Sequence, residues 1–132
     1  MCSLRDKILQ SLRNQDYRAL FMEGGCRFYA LVLNEQLGLP LFYACFPDRD
    51  EFGHVFVMKD SVCYDYDGAK EWASVAQQYA GWCDEKPRAA TPERIYKEMQ
   101  KRGLSDLEEQ IVEIARREFA KRRHLYEQGN AA

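Results

Sequence analysis

One segment constrains the fold of this chain more than any other. Gly24-Gly25 breaks the backbone, Cys26-Arg27 follows, and from Phe28 to Leu33 every residue is apolar. Gly38, just past the last turn, and Pro40 two residues later are a helix stop. A surface helix is apolar along one stripe, whereas a helix apolar nearly all round has to be covered on every side. The segment therefore predicts a buried central helix, with the rest of the chain built around it. At 132 residues and 46% hydrophobic, the sequence has enough material to do so. It reads as a single domain over 1–132 that buries about two-thirds of its unfolded surface.

Three short runs rich in aromatic or β-branched residues follow, over 41–46, 54–58 and 62–66. Residues 47–53 separate the first two, Asp60-Ser61 the last two, and Asp67-Gly68 ends the third, a pattern that predicts a three-stranded antiparallel meander. Upstream, Leu4, Ile8 and Leu12 with Ser3 as N-cap predict a helix over 3–12. Residues 14–23 fit either a helical turn or an extended lead-in. Downstream, the pattern predicts a helix over 69–80 carrying Trp72, Val75, Ala76 and Tyr79, then a linker over 81–90. Thr91-Pro92-Glu93 opens a helix that stops at Gly103. Ser105-Asp106-Leu107-Glu108, a capping-box pattern, opens a long helix with Leu107, Ile111, Ile114, Ala115 and Phe119 on one face. Gly129 to Ala132 form a frayed end. Strands segregated from helices make an α+β domain: a central helix packed on a short antiparallel sheet, with a core over roughly 3–80 and a helical extension over roughly 91–128.

Charge and cysteine content narrow the function classes. Nineteen basic residues against 21 acidic ones leave a net charge of -2. Nucleic-acid and membrane surfaces call for a basic excess, so neither is expected as the main partner. No apolar run approaches the ~20 residues of a membrane span, and the N-terminal residues lack the apolar stretch of a signal peptide. The five cysteines (Cys2, Cys26, Cys45, Cys63 and Cys83) are accordingly read as reduced thiols in a cytoplasmic protein. Cys26, His54, Cys63 and Cys83 are metal-ligand types, but without C-x-x-C or H-x-x-x-H spacing they predict no metal centre. Gly24-Gly25 lacks the further glycines and the Lys of a phosphate-binding loop, so no cofactor is expected.

Cys26 is the candidate nucleophile. A thiol attacks as its thiolate, and the free N–H groups and positive dipole end of a helix start favour that anion. Gly24 and Gly25 would leave room for a substrate carbonyl, and nearby N–H groups would hold a developing oxyanion. The plainer reading is a turn followed by a buried cysteine. A nucleophilic Cys needs an imidazole partner, and that partner an orienting group. His124 lies in the solvated stretch Lys121-Arg122-Arg123-His124, which leaves His54. If Asp60-Ser61 is a two-residue turn, Lys59 pairs with Val62, Phe56 falls opposite Asp65, and His54 falls opposite Asp67. Period-two parity then puts His54, Asp65 and Asp67 on one face. Asp65 is favoured as the orienting acid, because Asp67-Gly68 also serves as a plain turn.

With Gly24-Gly25-Cys26 opening a helix, Gly53-His54-Val55-Phe56-Val57 and Tyr64-Asp65-Tyr66-Asp67-Gly68, the chain resembles the papain-like cysteine hydrolases. The likeness is to the compact variants with chain order Cys, His, Asp, akin to transglutaminase-like and cell-wall-peptidase domains. It covers roughly 24–68. It implies a thiolate–imidazolium pair at the junction of helix and sheet, with Cys26 as nucleophile, His54 as acid/base and Asp65 orienting His54. Family members often carry a Gln upstream of the Cys as an oxyanion donor. Here Gln15 lies eleven residues upstream, Glu23 is negative, and the backbone N–H of Cys26 is the one donor to name.

The reading that results is acyl transfer from a peptide, amide or ester substrate, which includes proteins. Hydrolysis, transamidation and deamidation share its steps. The alternative is a non-catalytic interaction module, in which Cys26 and His54 are structural. Tyr96, Met99 and the Leu107-to-Phe119 stripe would then face a second copy, as in a homodimer, or another protein.

Overall fold

The computed structural model of the chain describes residues 3–45, 52–78 and 86–130. Helix α1 (Leu4–Asn14) starts as the sequence predicts. Ser3 Oγ accepts the Asp6 N–H, and the Asp6 carboxylate accepts the Ser3 N–H, so two orphan donors are satisfied reciprocally. The ambiguous stretch after it forms a second short helix, α2 (Tyr17–Met22), capped by Asp16. Helix α3 (Cys26–Leu37) is the predicted central helix. Every residue from Cys26 to Leu33 is buried, and Gly38 ends the helix in the left-handed conformation.

Among the described residues the sheet has five antiparallel strands: β1 (Leu41–Cys45), β2 (Phe52–Lys59), β3 (Val62–Asp65), β4 (Gly68–Glu71) and β5 (Arg88–Ala90), in the order β4-β3-β2-β1-β5. The fold class is the expected α+β, but the meander is only the centre of the sheet. Residues 69–71, predicted as the start of a helix, instead join Gly68 in a strand that returns along β3, pairing Asp65 with Gly68 and Val62 with Glu71. Ala69-Lys70-Glu71 are helix formers, so pairing to an open strand edge overrides propensity here. Of the described residues in that stretch, Trp72–Gln78 is helical (α4). Part of the predicted linker is the edge strand β5 on β1. Phe46 of the first predicted strand and Tyr79 of the predicted helix lie outside the described residues. Strand β2 begins two residues earlier than predicted, and Tyr66 sits in a turn rather than in β3.

The central hairpin has the predicted register: Lys59 with Val62, Met58 with Cys63, Val57 with Tyr64. Asp60 (φ 51°) and Ser61 (φ 72°) both take positive φ, as the tight turns that match strand twist require. Alternation then divides the sheet. Leu41, Tyr43, Val55, Val57 and Tyr64 join the core around α3. Phe42, Ala44, Phe56, Met58 and Cys63 pack on Trp72 and Val75 of α4 on the other face.

Helix α5 (Pro92–Lys101) is capped by Thr91. The capping-box pattern at 105–108 does not cap an α-helix. Ser105–Leu107 is a single 3-10 turn, and α6 (Glu108–Asn130) begins after it; Ala131 and Ala132, the last of the predicted frayed end, lie outside the described residues. Met99, Leu107, Ile111, Ile114, Ala115 and Phe119 are all buried in the core around α3. The stripe that the alternative reading turned toward a partner is buried in the core, and Tyr96 alone, 44% exposed, remains outside as a large apolar side chain among the described residues. No described helix is long and apolar enough to cross a membrane.

Candidate active site

Three side chains far apart in the sequence form a row at one end of the sheet. Cys26 is the first residue of α3. Its Sγ accepts the Val55 N–H at 3.4 Å, from the part of β2 beyond the end of the β2–β3 pairing. The His54 imidazole acts on the Cys26 thiol as a hydrogen-bonding and charged neighbour, and its Nε2 lies 3.0 Å from Asp65 Oδ2. Asp65 Oδ1 accepts the Asp67 N–H at 2.9 Å. All three residues are nearly covered, at 5% exposure for Cys26, 2% for His54 and 6% for Asp65.

Local structure explains the arrangement. Strand parity puts His54 and Asp65 on the face they share with Phe56 and Cys63, while Val55 faces α3. The β2–β3 pairing ends at Val57 with Tyr64, and beyond it Val55 and His54 meet Cys26 at the start of α3. Gly25 lets the helix start lie there: its N–H donates to the Leu20 carbonyl at 2.7 Å, and a Cβ would stand 2.4 Å from that oxygen. Gly24 has φ 143°, and a Cβ there would press on Leu4. The sequence suggested that both glycines make room for a substrate. Instead that space is occupied by α1 and α2, and the glycines serve close packing.

Electrostatics favour an ion pair. Burial pushes the Cys26 thiol up, but the hydrogen bond to His54, the Arg27 charge and the Val55 N–H together outweigh it, holding the thiol at about 7. For His54, burial opposes the charged form, and hydrogen bonds to Asp65 and Cys26 overcome it, raising the imidazole to about 10. The two groups titrate as a coupled pair. Each group favours the charged form of the other.

Asp67 is not a competitor for His54. Arg18 grips its carboxylate with two hydrogen bonds, at 3.0 and 2.9 Å, and Lys70 lies 3.4 Å away. The Cys26 N–H lies in the first turn of α3, where a helix leaves its N–H groups without intrahelical acceptors. Gln15 ends α1 at the surface in the left-handed conformation.

Sequence reading missed Arg27. It is 3% exposed, donates to the Gly24 carbonyl, and is paired with Glu98 of α5. Nη2 donates to Oε2 at 3.1 Å, whereas Nε and Oε1, 2.6 Å apart, form a charge contact without hydrogen-bond angles. One charge inside an apolar helix was the available signal, since a buried Arg needs a partner. Residues 121–123, predicted to be a solvated helix end, are mixed: Lys121 and Arg123 are exposed, but Arg122 reaches in to the Tyr66 carbonyl at 2.9 Å. His124 is exposed.

The row of Cys26, His54 and Asp65 does not converge on a point, and no group of three potential metal ligands occurs among the described residues. Cys63 lies on the α4 face, and Cys83 lies outside the described residues. A buried thiolate, an imidazolium and an orienting carboxylate in series are the parts list of nucleophilic acyl transfer. Compared with family models, with curated proteins and with solved structures, the chain matches none of them.

Proposed function

We propose that this protein is a thiol-dependent acyl-transfer enzyme of papain-like type, acting on an amide or ester carbonyl. The observation that carries the reading is the unbroken series from Cys26 Sγ through the His54 ring to Asp65 Oδ2. The Cys26 thiolate attacks the carbonyl carbon, and the charge moves to the carbonyl oxygen. The Cys26 N–H at the positive end of α3 faces that charge. As the tetrahedral intermediate collapses, the carbon–nitrogen or carbon–oxygen bond breaks and the His54 imidazolium protonates the leaving group. An acyl thioester on Cys26 remains. Water, or an amine in transamidation, then attacks the thioester, His54 takes its proton, and the carbon–sulfur bond breaks to restore the thiolate. Asp65 keeps the imidazole in the tautomer and orientation that both steps use. Such a thiol suits a reducing, cytoplasmic setting. Cys26 and Cys63 are free thiols.

The test is to mix the protein with p-nitrophenyl acetate, follow p-nitrophenol release and map the acyl adduct by mass spectrometry. An early burst equal to the protein concentration, with acetyl on Cys26 and none in Cys26→Ala, is expected. A release rate equal in Cys26→Ala, with no adduct on Cys26, overturns the reading.

A further inference from the structure

An orienting carboxylate works only while its oxygen stays at the imidazole. Asp65 is the last residue of β3, so the sheet ladder that fixes β3 stops at the residue whose position matters most. Helix α6 takes over there. Glu118, Arg122 and Tyr126, spaced four apart, form one stripe on that helix. Glu118 Oε1 accepts the Tyr66 hydroxyl at 2.7 Å. Arg122 Nε donates to the Tyr66 carbonyl at 2.9 Å, with its guanidinium 4.1 Å from the centre of the Tyr66 ring. The Tyr126 hydroxyl, fully buried, donates to the Asp65 carbonyl at 2.7 Å and stands 2.9 Å from the Tyr29 hydroxyl. A hydroxyl has one proton, so Tyr29 supplies the second bond by donating to Tyr126.

Tyr29 lies on α3, one turn after Cys26. The contacts therefore close a ring: Cys26, His54, Asp65, Tyr126, Tyr29, and back along α3 to Cys26. The Tyr126–Tyr29 pair fixes the Asp65 backbone relative to the helix that carries the thiol.

We propose that Tyr126, backed by Tyr29, is a positioning residue for the proposed acyl transfer, holding Asp65 at the distance from α3 at which its carboxylate can orient His54. The C-terminal helix is then part of the catalytic apparatus rather than an appendage. The proposal rests on the thiol acyl-transfer reading and goes beyond it.

The experiment measures iodoacetamide labelling of Cys26 against pH in the full chain, alongside thermal unfolding. With Tyr126→Phe, which keeps the ring, the labelling midpoint should move up, and the rate at pH 7 should fall roughly three- to fivefold, the scale of one lost hydrogen bond. Tyr29→Phe should shift the midpoint the same way by less, and it carries the test if Tyr126→Phe does not fold. In an Asp65→Asn background, Tyr126→Phe should add no further shift, as residues acting through one another are not additive. A lower unfolding temperature with an unmoved midpoint overturns the proposal, since a merely structural tyrosine would give that result. A full additive shift beside Asp65→Asn does the same. A wild-type midpoint at the ordinary thiol value overturns the acyl-transfer reading itself, and the proposal with it.

Discussion

Two buried cysteines, one at the start of α3 and one on β3, show how its surroundings move a thiol's titration. Cys63 sits on β3 among Phe56, Ala44 and Val75. Burial pushes its thiol up to about 12, and the nearby Asp65 and Glu71 charges push in the same direction. Cys26 is equally deep, yet its thiol is held at about 7. Asp65 acts on both with opposite results. It raises Cys63 directly as a negative neighbour, whereas it reaches Cys26 through His54, which it helps to keep protonated. Burial by itself protects a cysteine. Burial beside a helix start and an imidazolium activates it.

The comparison can be broken outright at the sulfur. Cys26→Ala should lower turnover on the order of a thousandfold or more, as removal of a nucleophile does, while Cys63→Ala leaves steady-state ester hydrolysis intact. His54→Ala tests what separates the two thiols. Only thiolate reacts, so labelling rises with pH through the thiol's titration, and a lowered titration moves that rise to lower pH. Without His54 the Cys26 rise should move well above pH 7, with labelling at pH 7 slower by roughly tenfold or more. Cys26 then behaves like Cys63, which should label only on unfolding. Mass spectrometry of each cysteine across pH reads both.

A subtler variant sharpens the contrast by dividing stability from reactivity. Glu98→Gln leaves the buried Arg27 charge without its carboxylate and should destabilise the fold by about 2–3 kcal/mol in urea unfolding. Arg27 favours the Cys26 thiolate, so the labelling midpoint should fall below its wild-type value as the protein weakens. The smallest effect is expected at the hairpin turn. Ser61 has φ 72°, and Ser61→Gly should stabilise by about 1 kcal/mol, because glycine takes that conformation freely. The same variant should leave Cys26 labelling unchanged.

Much of the site was legible because short-range rules reach it. The helix stop at Gly38 and the break at Gly24-Gly25 located the start of α3, and the two-residue turn at Asp60-Ser61 fixed the parity of His54 and Asp65. The choice between Asp65 and Asp67 was not local. Arg18, 49 residues away along the chain, occupies Asp67. The outer strands were missed for a similar reason. Gly68-Ala69-Lys70-Glu71 has no strand pattern of its own and pairs because β3 offers it an edge.

By itself, the sequence determined the buried helix, the central hairpin with its register, and the one imidazole available to a thiol at the helix start. These follow from side-chain periodicity and turn stereochemistry, which act over a few residues. Only the tertiary structure decided that Arg27 is neutralised by Glu98, that Gly25 exists to admit the Leu20 carbonyl, and that Tyr126 reaches the Asp65 backbone. Each is a contact between elements whose meeting depends on how the whole core packs, and no local pattern encodes which distant partner a buried polar group will find.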